Sequence, residues 1–153
     1  MRSVLVNWSG PYSLDQTTPP QISRKMGVYA IVSGLDYIFI GKAKRGKGIF
    51  REAKENRETE YWKGLRKQKI VMEEKPAWYK LRDTVYRECR LYAGVVLKEE
   101  FVYIEDVEKL LVYHMKPVCN EKYVNKLEIS EGLQLINVGT LPPGLNHEVN
   151  SPN

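Results

Sequence analysis

Two β-forming runs joined by a short glycine-bearing turn constrain this chain more than any other feature. GVYAIVS (27–33) and DYIFIG (36–41) are dense in Val, Ile, Tyr and Phe, residues that fit a pleated, half-buried surface. Ser33-Gly34-Leu35-Asp36 between them carries a glycine suited to a tight connection. The pair therefore reads as an antiparallel hairpin. Residues 3–8 (SVLVNW) and 89–97 (CRLYAGVVL) read as further strands, and LQLINVG as one possible strand in the tail. The last stretch of the chain, TLPPGLNHEVNSPN, has the composition of a loop or frayed end.

Helical signals lie between these strands. Residues 46–57 carry a helix-like composition, and 59–67 adds a second piece with Tyr61, Trp62 and Leu65 on one side. Pro76 suits the first position of another helix, with Trp78, Leu81 and Val85 at spacings of three and four. Val107, Leu110, Leu111 and His114 recur at helical spacing, Glu105 and Asp106 fall where the helix dipole favours carboxylates, and Pro117 ends the run. The expected class is α+β: a small, mainly antiparallel sheet flanked by helices.

With 153 residues, one domain with a real core is expected over 1–153. No apolar run approaches the roughly 20 residues that cross a bilayer, and MRSVLVNWSGPYSL lacks a sustained apolar segment with a cleavage site. The expectation is an intracellular protein without a membrane partner. Cys89 and Cys119 are too few for a disulfide framework or a tetrahedral zinc site and read as reduced core residues.

The formal net charge of +5 matters less than its distribution. From Lys42 to Lys69 eleven Lys and Arg stand against four Glu, whereas after Lys98 four Lys stand against nine Asp and Glu. A basic stripe with an acidic part beyond it suits a protein that grips phosphate and also holds a cation. Lys44, Arg45, Lys47, Lys54 and Arg57 are the candidates for nucleic-acid contact.

Gly27-Val28-Tyr29 and Phe39-Ile40-Gly41, with their aromatic positions ten residues apart, resemble the paired tripeptides of the GIY-YIG nucleases. Glu108-Lys109-Leu110-Leu111, then Lys116-Pro117 and Asn120, is similar to that family's closing pattern, and Arg51 stands where the family places its arginine. The resemblance covers roughly 27–120, with an insertion near 57–87, and leaves 1–26 as an N-terminal strand and loop and 121–153 as a C-terminal extension. It implies an endonuclease acting on DNA, double-stranded by expectation, with Mg²⁺ or Mn²⁺. The implied roles are Tyr29 taking the proton from water, Arg51 clamping the phosphate and Glu108 ligating the metal at the leaving oxygen. Lys42 would lower a tyrosine pKa or contact phosphate, and Asn120 would orient the site with its amide. A double-strand break would need a second protomer, so a dimer is an open possibility.

Such chemistry needs a base near the attacking water, positive charge on the oxyanions and a metal. At about 100° per residue, Glu108 falls at the margin of its helix's apolar stripe, beside Leu111 and Met115, where a carboxylate can reach a cleft. Arginine suits a phosphate because its planar fork pairs two oxygens and stays charged. The chain departs from the family at Phe39, where a tyrosine is usual, and at Glu55, four residues after Arg51, where His or Tyr is. Strict alternation places Tyr37 on the same strand face as Phe39, about 6–7 Å along, as a possible second hydroxyl.

Two other readings stand beside this one. A catalytically impaired nuclease-like module would bind nucleic acid through the basic surface, with Tyr61, Trp62, Trp78 and Tyr79 as stacking groups. Gly41-Lys-Ala-Lys-Arg-Gly46-Lys47-Gly48 also nearly spells a P-loop, which would make a nucleotide binder, although Gly48 replaces the hydroxyl residue that holds Mg²⁺.

Overall fold

The computed structural model describes residues 1–14, 16–56, 89–120 and 122–152. The described strands are β1 (Arg2–Ser13), β2 (Gly27–Ser33), β3 (Asp36–Ala43), β4 (Arg90–Val96), β5 (Leu133–Gly139) and β6 (Glu148–Asn150). They form one sheet ordered β3-β2-β4-β1-β5-β6. Only the β1/β5 pairing is parallel; β1/β4, β2/β3, β2/β4 and β5/β6 are antiparallel. With helices α1 (Ile49–Asn56) and α2 (Ile104–Met115) against it, the fold is α+β with a mixed sheet. The expected helices at 59–67 and 76–85, and Arg57, lie outside the described residues. No helix among the described residues is long and apolar enough to cross a membrane.

The hairpin forms as its composition requires, and β2 is buried on both faces along almost its whole length. Val28, Ala30 and Val32 point into a core shared with Val4, Val6, Trp8 and the apolar side of α2. Tyr29 and Ile31 point the other way, into a core with Ile49, Phe50 and Ala53 of α1. The β2–β3–β4 part of the sheet is thus sandwiched between two apolar layers, which fixes its strands on both sides.

Two irregularities decide which side chains reach which layer. Between the pairs Ser9↔Ala93 and Tyr12↔Leu91, β1 carries one residue more than β4. An extra residue reverses the alternation. Hence Val4, Val6 and Trp8 serve the α2 side, while Tyr12 and Leu14 serve the α1 side, with Tyr12 meeting Phe50 edge-on at 6.3 Å. The second bulge lies in β3, where Ile31 pairs with Phe39 and Val32 with Tyr37, leaving Ile38 as the added residue.

Helix α2 ends for local reasons. Pro117 disfavours helical backbone at the residue before it. Lys116 takes a left-handed conformation, φ 50°, with its N–H on the Val112 carbonyl at 2.9 Å, a common helix stop.

The tail is not frayed, contrary to its composition. Glu148–Asn150 pairs with β5 as the edge strand β6. Ser151 lends its Oγ to the Leu133 N–H at 2.8 Å, and Val149 is buried. Asn137, fully buried, accepts from Trp8 Nε1 at 2.9 Å and donates to the Asn146 carbonyl at 2.9 Å. These bonds satisfy polar groups that would otherwise oppose burial, and they tie the turn-rich segment to the sheet.

Candidate functional site

β3 lies at the end of the sheet, so its outer edge needs a cover. The segment after α2 supplies one: Val118 N–H bonds Tyr37 O at 3.2 Å and Cys119 N–H bonds Ile38 O at 2.9 Å. Asn120 completes the row with its side chain, Oδ1 accepting from Ile40 N–H at 2.9 Å and Nδ2 donating to Ile40 O at 2.8 Å. Beyond that clamp lies a cleft of about 370 Å³ lined by Phe39, Gly41, Lys42, Ala43, Lys44, Arg45, Glu52 and Glu108.

Lys42 pairs with Val28 in the ladder and so faces α2. Its Nζ stands 3.4 Å from Glu108 Oε1 and 3.7 Å from Glu105 Oε1, and Lys44 Nζ stands 3.8 Å from Glu105 Oε2. The Glu108 side chain keeps only 12% of its surface exposed, against 33% for Lys42 and 42% for Glu105. Burial therefore pushes the Glu108 carboxyl above the usual glutamate range, and Lys42 offsets only part of that. For Lys42, burial pulls the ammonium down but Glu108 and Glu105 together outweigh it, so it titrates above the ordinary lysine value. The result is a largely buried carboxylate in a cleft that Lys42, Lys44 and Arg45 also line.

Compared with known protein families, curated proteins and solved structures, the chain matches none.

Glu108 and Lys42, 66 residues apart, meet at the cleft, with Lys44 and Arg45 beside them. Arg51 does not join them. Ile49, Phe50 and Ala53 bury one side of α1, and at about 100° per residue Arg51 then points roughly 150° away from that side. It pairs with Glu55, Nε to Oε1 3.2 Å, and lines a separate cleft. Glu52, at the margin of the buried side, lines the Glu108 cleft instead. The spacing of Ile49, Phe50 and Ala53 carries that distinction, and the resemblance at Arg51 does not.

Tyr29 is fully buried, its ring 6.2 Å from that of Phe39. A Cβ on Gly41 would lie 2.3 Å from the Tyr29 hydroxyl oxygen, so the phenol packs where only glycine leaves room. The two tripeptides fit each other as a packing unit, and Tyr29 does not face water as a proton acceptor must. Asn120 spends its amide on the backbone of Ile40 and positions β3 rather than a ligand. Lys54, expected to face phosphate, turns back to donate to the Gln16 carbonyl at 2.6 Å and covers the Phe50 ring at 4.8 Å. Lys44, Arg45 and Lys47 are exposed as expected.

Tyr37 does not share a strand face with Phe39. The bulge at Ile38 reverses the alternation, so Tyr37 lies on the α2 side and Phe39 on the α1 side. The Tyr37 hydroxyl donates to Pro143 O at 2.6 Å, and burial pushes its pKa well above the usual phenol value. Tyr37→Phe is expected to cost about 1 kcal/mol, the net worth of one such bond, with no change in any activity of the cleft. Urea unfolding beside an activity assay checks this; loss of activity at full stability would return Tyr37 to the site. The P-loop pattern fares no better, because Gly41–Ala43 are paired within β3 and only Lys44–Gly48 remain as loop.

Proposed function

We propose that the chain is a nuclease of the GIY-YIG kind, hydrolysing DNA phosphodiester bonds with Mg²⁺ or Mn²⁺ at the Glu108 cleft. The observation that carries this reading is the meeting of Glu108 and Lys42, from two separate sequence blocks, at the open end of β3 just past the Asn120 clamp. Glu108 and Glu52, from two helices, both line this cleft, and a carboxylate is a hard oxygen donor. Such a set fits a cation that takes one or two carboxylates and fills its remaining positions with water and phosphate. Among the described residues no group of three or more His, Cys, Asp or Glu comes together, so the fit is to that sparse kind of site and not to an all-protein cage. Bound there, the cation would supply Lewis acidity at the leaving oxygen.

The chain's own residues divide the remaining work. Lys42 holds the Glu108 carboxylate in place and adds positive charge beside the scissile phosphate. Lys44 and Arg45 draw the nucleic-acid backbone to the cleft. Tyr29, behind Gly41, fixes the floor by packing. Incubation of the purified chain with supercoiled plasmid should give nicked circles with Mg²⁺ or Mn²⁺ and none with chelator. Intact plasmid at high protein concentration with both metals would end the nuclease reading.

The burial of Tyr29 and the outward turn of Arg51 favour a second reading, a nuclease-like module that binds nucleic acid without cutting it. Such a protein would retard DNA in the presence of chelator and leave it whole with metal.

A further inference from the structure

We infer that a second cleft, built by the N-terminal arm against the entrance of α1, is a phosphate-binding pocket for the nucleic-acid backbone. It measures about 530 Å³ and is lined by Thr18, Ser23, Arg24, Gly46, Lys47 and Arg51. It shares no lining residue with the Glu108 cleft, yet adjoins it along the chain, since Arg45 lines one and Gly46 the other. Three cations and two hydroxyls converge on it, with Glu55 the carboxylate paired to Arg51 through Nε. Guanidinium groups and hydroxyls are the groups that grip phosphate oxygens.

The pocket is held in shape by its own backbone. Ile49 N–H bonds Lys25 O at 2.9 Å, closing the arm against the start of α1. A Cβ on Gly48 would come within 2.8 Å of Arg24 Cα, so the two loops touch directly. Gly46 and Gly48 take φ of 88° and 98°, which glycine adopts without cost. Arg24, however, has φ 59°. A long side chain in the left-handed region is held under strain that Gly or Asn would lessen. The turn closed by Lys25 N–H on Ile22 O at 3.1 Å holds Arg24 in that conformation, at the edge of the cleft it lines.

The proposal rests on nucleic acid being the partner, but its test does not require cleavage. Binding of the full chain to a short labelled duplex, in chelator, is measured by anisotropy across a salt series. Arg24→Asn and Lys47→Ala should each weaken binding about tenfold and lower the slope of log affinity against log salt by about one. Arg24→Asn should do so with an unchanged or higher melting temperature, because Asn tolerates the left-handed backbone. A duplex with and without 5′-phosphates identifies the source of the phosphate. Equal loss on both assigns an internal phosphodiester, and loss confined to the phosphorylated duplex assigns a terminal phosphate. Wild-type affinity and salt slope in Arg24→Asn would overturn the pocket even if the protein cuts DNA. Absence of cutting with these losses intact would instead overturn the nuclease reading alone.

Discussion

Glu108→Gln is expected to slow the proposed metal-dependent cleavage about a thousandfold, since a bound divalent cation supplies several kcal/mol of transition-state stabilisation, and to raise the melting temperature at neutral pH. The two effects have one cause. A carboxylate with 12% of its side-chain surface exposed is held ionised against its burial, and its pKa lies above that of the unfolded chain. A raised folded pKa means that the native state binds the proton more tightly. The associated stability is full below the ordinary glutamate value and is lost as pH rises through the higher folded one. At neutral pH the native state therefore carries a cost that Gln removes. Lys42 is not stranded by the change, because Glu105 remains 3.7 Å away and a third of the Lys42 side chain meets water. Relative to Glu108→Gln, the wild type should lose stability as pH climbs through that window and converge with the variant at acid pH. Thermal melts across a pH series read this directly. A variant less stable than wild type at neutral pH would mean that the Lys42 ion pair outweighs the burial cost, and the carboxylate would then be structural.

How much of the fold and the cleft is legible in the sequence depends on where the determinants lie. Hairpin, α2 and its stop at Pro117 rest on local properties, and these are readable: β-forming runs around a glycine, helical spacing from Val107, a proline two residues past the end. The approach of Lys42 to Glu108 is not readable from either segment, because it depends on α2 packing against the hairpin. Tyr37 and Phe39 show the opposite failure. Alternation is a rule about regular strands, and a single extra residue at Ile38 overturns it with no compositional mark. Arg51 and Glu52 differ by one position, and only the apolar trio Ile49, Phe50 and Ala53 says which of them turns toward the sheet. The tail misleads for a different reason. Its Pro, Gly and Asn content describes a turn, and what pins it, the buried Asn137 and the β5/β6 pairing, draws on partners outside that turn, Trp8 being 129 residues from Asn137.

Asn120→Leu is expected to lower stability by about 3 kcal/mol and the melting temperature by about 10 °C. Asn120 is 9% exposed, and its amide imitates a strand neighbour by meeting both backbone groups of Ile40. Leucine keeps the branched heavy-atom shape and removes both bonds, leaving a buried N–H and C=O without partners at a cost of about 1–3 kcal/mol each. Val118 and Cys119 would still bond Tyr37 and Ile38, so the damage should be confined to the end of the cover nearest Gly41 and Lys42. Hydrogen exchange at the Ile40 amide should accelerate far more than at Ile31, deep in β2. Asn120→Asp retains the acceptor but sets a carboxylate oxygen against Ile40 O, so it should also destabilise, and most strongly where the carboxyl is ionised. If Asn120 instead addressed the substrate, Asn120→Leu would abolish cleavage at an unchanged melting temperature. The two hydrogen bonds to Ile40 require the reverse order: the fold loosens first, and the proposed activity falls because Lys42 is no longer held opposite Glu108.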